Sequence, residues 1–210
     1  NFVAIHLVSY VVRWPLQESR GVFPNTDLID ESVRLPIIIP GTGLHLGFVV
    51  AVICVVGLSI FFNNTGMGFH LRAMGGSKEA TRVSGRARIP MLLMVAFLLS
   101  GSLAGLAGGI EITGRTFALY EGMSPGWGYT AIAVALLADL NFIAVLVTGI
   151  FFGALEGGAG AMQREAGIPA AWVSGIEALV LLSVLASDRI LRRLLKSKKK
   201  YDVKERELDV

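Results

Sequence analysis

A single cysteine, Cys54, stands in 210 residues, which rules out a disulfide framework and any cluster of thiolate ligands. The three histidines, His6, His45 and His70, fall in three separate segments without paired spacing, so no imidazole metal site is expected either. Charge is scarce, with Asp, Glu, Lys and Arg together at 17% of the chain. A phosphate-cradling Gly-x-x-x-x-Gly-Lys-Ser/Thr run is missing: in Gly75-Gly76-Ser77 the glycines are followed by Ser where that pattern needs Lys. Any nucleotide-driven work therefore belongs to another subunit, and no cofactor is expected. His, Asp and Ser are not clustered at helical spacing, so an enzyme of the membrane interior is not expected.

What fills the chain instead is apolar residue and glycine, 53% and 25 residues respectively, far beyond what a soluble domain carries. The sequence predicts an all-α, polytopic transmembrane helix bundle, a single domain over residues 1–210. Residues 46–62 carry no charge, and 17 residues at about 1.5 Å each approach a bilayer core of about 30 Å. Further uncharged or nearly uncharged runs cover 89–110, 126–138, 142–162 and 171–187, and residues 1–12 read as the tail of one more helix. The chain opens without Met and without a signal-peptide pattern, and is expected to be the C-terminal part of a longer protein.

Orientation follows from Lys and Arg. Five lie between residues 63 and 88 (Arg72, Lys78, Arg82, Arg86, Arg88), nine follow Asp188, and five are left for every other connection. The positive-inside rule puts both clusters in the cytosol, and the four intervening spans bring the chain back to the same side. The expected arrangement is an extracytoplasmic loop at 13–45, a cytosolic loop at 63–88, a short cytosolic link at Asp139-Leu140-Asn141 and a basic cytosolic tail at 189–210. Four prolines and three glycines in the 13–45 loop predict an irregular cap with a short helix near Asp27 to Arg34. The basic residues thus report topology and a lipid surface, and no nucleic-acid partner.

Glycine repeats at every fourth position (Gly101, Gly105, Gly109; Gly149, Gly153, Gly157) mark faces where helices approach closely. Four carboxyl groups, Glu111, Asp139, Glu156 and Glu177, lie in or at the ends of apolar runs, where each costs about 2.5 kcal/mol or more at mid-depth unless it meets protein or water. Glu111 and Glu177 either line an aqueous cavity or pair with backbone and neighbouring side chains; Asp139 reads as a turn residue.

The polar island Leu71 to Gly85 between two spans, with Gly41-Thr42-Gly43-Leu44-His45-Leu46-Gly47 before it, resembles a known pattern. So do Gly68-Phe69-His70-Leu71-Arg72-Ala73-Met74-Gly75, the run Leu99 to Gly109, and Ser124-Pro125-Gly126-Trp127-Gly128-Tyr129-Thr130. In order and spacing these residues resemble the inner-membrane permease subunits of bacterial ABC importers, in the branch that moves simple sugars and nucleosides. The resemblance covers residues 1 to about 186. It implies the second half of a permease of about ten helices, a second permease subunit, identical or paralogous, two cytosolic ABC ATPase subunits, and an extracytoplasmic solute-binding lipoprotein. It also implies that the island is the coupling helix, with Gly75, Glu79, Ala80, Arg82 and Gly85 at the ATPase; Glu111, Tyr129, Gln163 and Glu177 are the candidate pathway residues, although at Glu177 the family more often has Gln. Ser77-Lys78 stands where the family usually has Asn-Pro, and Asp139-Leu140-Asn141 replaces a more glycine-rich turn. Without an ATPase partner, the alternative is a secondary transporter or channel for a small polar solute.

Overall fold

The computed structural model describes residues 2–41, 43–83, 88–124 and 126–166, with Trp172, Gly175, Ala178, Leu179, Leu182 and Ser183. Helices run α1 Phe2–Arg13, α2 Gly47–Asn64, α3 Gly66–Gly76, α4 Lys78–Val83, α5 Ile89–Glu111, α6 Trp127–Leu137 and α7 Phe142–Ala166. One π-helical turn, Ile112–Thr116, prolongs α5. Two short strands, β1 Ile37–Ile39 and β2 Leu44–His45, pair antiparallel with Ile37 opposite His45 and Ile39 opposite Leu44. Among the described residues three helical stretches are long and apolar enough to cross a membrane: Gly47–Asn64, Ile89–Thr116 and Phe142–Glu165. Their surfaces remain bare, with Phe97, Leu98, Ile143 and Val147 all exposed, as suits helices whose solvent is hydrocarbon or a neighbouring helix.

The chain divides into two compact units, residues 1–126 and 127–210. In the first, the loop after α1 and the segment after α5 are sewn together by backbone bonds. The Thr26 and Ile29 amides donate to the Leu119 and Phe117 carbonyls at 2.9 Å each, and Leu35 N–H donates to Thr113 O at 2.9 Å. The Leu119 amide returns a bond to Thr26 Oγ1 at 3.0 Å. Arg34 reinforces the seam: its guanidinium lies 4.8 Å above the Phe117 ring and donates to Ile29 O at 3.3 Å. The expected irregular cap is present, and its helix is a single 3₁₀ turn, Glu31–Val33, capped by the Asp30 side chain on Ser32 N–H. The β1/β2 pair was not expected, because three residues between prolines carry no alternation to read.

In the second unit α6 and α7 form an antiparallel hairpin. Thr148 Oγ1 donates to Val134 O at 3.3 Å, and Phe152, Val134 and Ala138 are buried in the seam. Asn141 caps α7 by accepting the Ile143 and Ala144 amides at 3.0 and 3.3 Å. The predicted span at 126–138 is an 11-residue helix of about 16 Å, too short to cross a bilayer core by itself. The predicted span at 171–187 lies largely outside the described residues, as does the basic tail.

Two predictions follow from local geometry. Asp139 and Leu140 turn the hairpin with φ of 49° and 57°, a left-handed conformation that costs a β-carbon-bearing residue about 1 kcal/mol. Leu140 is 71% exposed and loses little burial on truncation. Leu140→Gly is therefore expected to stabilise the detergent-solubilised protein by about 0.5–1 kcal/mol in thermal unfolding, and an unchanged or lower melting point contradicts a strained turn. In the cap, the Arg13 guanidinium, with Arg13 Nη2 2.9 Å from Glu121 Oε2, holds the Glu121 carboxyl below its ordinary value. The Ser19 hydroxyl and then its amide do the same for Asp27. Carboxyls depressed in the folded state stabilise it above their unfolded values, near pH 4, and that contribution is lost as pH falls through the lower folded values. The Thr26 and Ile29 amides should thus be protected from hydrogen exchange at about pH 6 and lose protection towards about pH 3, after correction for intrinsic rates; equal protection at both would refute the linkage.

Candidate functional site

The polar island is a helix, a break and a second helix. α2 ends at Thr65, whose hydroxyl donates to Phe61 O at 2.6 Å and accepts the Gly68 amide at 3.1 Å, so one side chain closes α2 and opens α3. Gly68 is required at this elbow. A Cβ there would collide with the Phe61 carbonyl oxygen and lie 2.5 Å from Phe62 Cα, so α3 can fold back on α2 only without a side chain. Arg72 Nη1 then ties α3 to Asn63 Oδ1 at 3.1 Å, and Leu71 is buried.

Ser77 breaks the helix. Its backbone is extended (φ −157°, ψ 110°), its amide donates to Ala73 O at 2.9 Å, and its carbonyl accepts from Thr81 N–H at 3.1 Å. Thr81 is buried, and its hydroxyl donates back to Ser77 O at 2.9 Å, so α4 is seated through Thr81. The outward face carries Lys78, Glu79 and Arg82, which line a cleft with Ile89, Pro90 and Leu93 at the start of α5. That arrangement combines charge of both signs with an apolar floor.

Of the expected contact residues, Glu79, Ala80 and Arg82 lie on α4, Gly75 lies in the last turn of α3 ahead of the break, and Gly85 is outside the described residues. The island is thus two helices parted by the extended residue Ser77, and α4 begins directly after it. The structural roles of Thr65, Gly68 and Thr81 were not expected. The first two are legible as a Thr-x-x-Gly capping pattern, whereas nothing in the sequence marks Thr81 as buried.

Of the expected pathway residues, Glu111 belongs to the first unit and Tyr129 and Gln163 to the second. Glu111 ends α5, half-buried, with Arg115 Nη1 3.5 Å from its Oε1. Tyr129 and Gln163 belong to the hairpin unit. Bonds at Val134–Thr148 and Trp127–Glu156 set a register that puts Tyr129 level with about residue 154, roughly 13 Å short of Gln163 along α7. Glu177 lies outside the described residues. A residue given no separate role by sequence, Glu156, accepts from Trp127 Nε1–H at 2.5 Å. His45 serves structure: its Nδ1 accepts the Gly47 amide at 3.1 Å, and a Cβ on Gly114 would come within 2.7 Å of its ring. Among the described residues no group of His, Cys, Asp and Glu could hold a metal ion.

A family model described as branched-chain amino acid transport system, permease component, matches residues 1–185. The chain is 36% identical over 198 residues to the glucose ABC transporter permease protein TsgB13 of Haloferax volcanii, covering 90% of this chain and 52% of that protein. It is 33% identical over 206 residues to the guanosine ABC transporter permease protein NupP of Bacillus subtilis, covering 95% and 58%. It is also 29% identical over 143 residues to the nucleoside ABC transporter permease protein NupB of Lactococcus lactis, covering 67% and 38%. The chain spans about half the length of the curated relatives it matches. No solved structure matches it. An all-helical polytopic membrane chain, matched by that model over all but its last 25 residues (210 − 185), belongs to the permease family of ABC transport systems.

Proposed function

We propose that this chain forms part of the membrane-spanning permease subunit of an ATP-driven importer for a sugar or nucleoside. The observation that carries the reading is the family match over residues 1–185 combined with a short charged helix, α4, held out from two long apolar helices by defined caps. The clustering of Lys and Arg at 63–88 and after Asp188 supports a cytosolic position for α4 and for the C-terminal tail. α4 is then the part that a cytosolic ABC ATPase grips, through Glu79, Ala80 and Arg82 with Gly75 and Gly85 at its borders. The cap built from residues 13–45 and the segment after α5 faces the opposite side, where a solute-binding lipoprotein delivers its load. A second permease subunit completes the pathway, which Glu111, Tyr129, Gln163 and Glu177 help to line. The membrane is the cell's inner, or plasma, membrane.

Coupling is mechanical. ATP binding draws the two ATPase subunits together, each pushes its α4, and the movement switches the helices between inward-open and outward-open arrangements. Glucose and guanosine, carried by the two relatives quoted first, share a ring with vicinal hydroxyls, and that is the substrate class proposed. The alternative of an ATPase-independent transporter or channel gains no support from relatives named as ABC permeases.

The full permease co-expressed with its ATPase and reconstituted in vesicles tests the coupling. Reversing the charge at Glu79 sets like charges against whatever partner it meets, an effect of several kcal/mol, so Glu79→Lys should cut vanadate-sensitive uptake on the order of tenfold or more. Gly85→Trp should do the same, with membrane insertion of both variants intact. Normal ATP-coupled uptake by either variant would overturn the coupling role.

A further inference from the structure

α7 carries one carboxyl far from both its ends. Glu156 lies fourteen residues beyond Phe142 and ten before Ala166, about 21 Å and 15 Å along the axis. A carboxyl at that depth is costly in hydrocarbon unless it faces protein or water. Trp127, the first residue of α6, supplies one partner by donating its indole N–H to Oε1. Among the described residues Oε2 has no donor, and a carboxyl has acceptor sites for about four. The side chain is exposed.

The hairpin changes character at this level. Before it, α7 packs on α6 through Thr148; beyond it α6 has ended and α7 continues for ten more residues. Gln163, two turns further on, returns to within about 20° of the Glu156 face and lies about 10 Å along the axis. Between them sits Gly160, where a Cβ would meet only the far end of Arg164, at 3.4 Å. An indole, a carboxyl and a carboxamide thus share one face around a position with no side chain.

Resting on the reading of this chain as a sugar or nucleoside permease, the geometry points to Trp127 and Glu156 as the seat of the solute's hydroxylated ring within the membrane. The indole offers an apolar face, the free carboxyl oxygen accepts from two vicinal hydroxyls, and Gln163 reaches the other end of a ring that lies over Gly160. The class of ligand is a hexose or a ribonucleoside, and the vicinal diol is the group recognised.

The experiment uses the full-length permease in lipid nanodiscs, with Cys54 and any other reactive cysteine replaced and Gly160→Cys as reporter. The expected result is that a charged, membrane-impermeant thiol reagent labels the reporter, and that one of guanosine, ribose, glucose or fructose slows labelling at least about fivefold. Glu156→Ala should abolish that protection while labelling persists, and Glu156→Gln, which keeps an acceptor for the indole, should raise the protecting concentration about tenfold. A reporter that stays unlabelled, labelling that none of the four solutes slows, or protection that survives Glu156→Ala would each overturn the proposal. Labelling requires neither ATPase nor uptake, so its failure is distinct from failure of the importer reading.

Discussion

A backbone amide or carbonyl left unpaired in hydrocarbon costs several kcal/mol, and the local architecture of this chain follows from that constraint. The three long helices satisfy their own backbones, so breaks occur where a side chain can take over. Thr65 does so between α2 and α3, and Asn141 does so between α6 and α7. The π turn after α5 ends with Phe117 in a left-handed conformation, its amide donating to Ile112 O, and so turns the chain into the cap without abandoning its carbonyls. Side-chain packing comes second. The few buried residues of the described chain are spread one or two to an element, and most large apolar side chains look outward.

Two kinds of polar structure are hung on that scaffold, and they are held differently. The cap is a sheet-like seam of backbone bonds between segments about ninety residues apart, braced by Arg34 on Phe117 and by the Arg13–Glu121 pair. The island between α2 and α5 is local, built from Thr65, Gly68 and Thr81 acting on neighbours within a few residues. The cap therefore depends on segments far apart in sequence, whereas the island is shaped by its own neighbours.

Much of this was legible in the sequence, for physical reasons. Uncharged or nearly uncharged runs of 17 or more residues give spans directly, and the observed α2, α5 and α7 fall within a few residues of the predicted bounds. The Pro- and Gly-rich loop read correctly as an irregular cap. Harder to read were features that depend on partners distant in sequence. Nothing around Thr26 announces Leu119, and nothing around Trp127 announces Glu156. The start of α4 after Ser77 is legible, since Ser is a good helix N-cap and Lys-Glu-Ala-Thr-Arg-Val is good helix, whereas the end of α3 at Gly76 leaves little compositional trace. Of the candidate site residues, Glu79 and Arg82 appear on an exposed charged face as their types suggest, while Gly75 falls on the other helix.

The elbow at Gly68 and the break at Ser77 differ in stiffness. The first is wedged atom against atom and tied by Arg72; the second hinges on one residue with hydrogen bonds on either side. One joint is therefore fixed by volume and the other by hydrogen bonding, so the angle between α3 and α4 is the one that a change at Ser77 or Thr81 would alter.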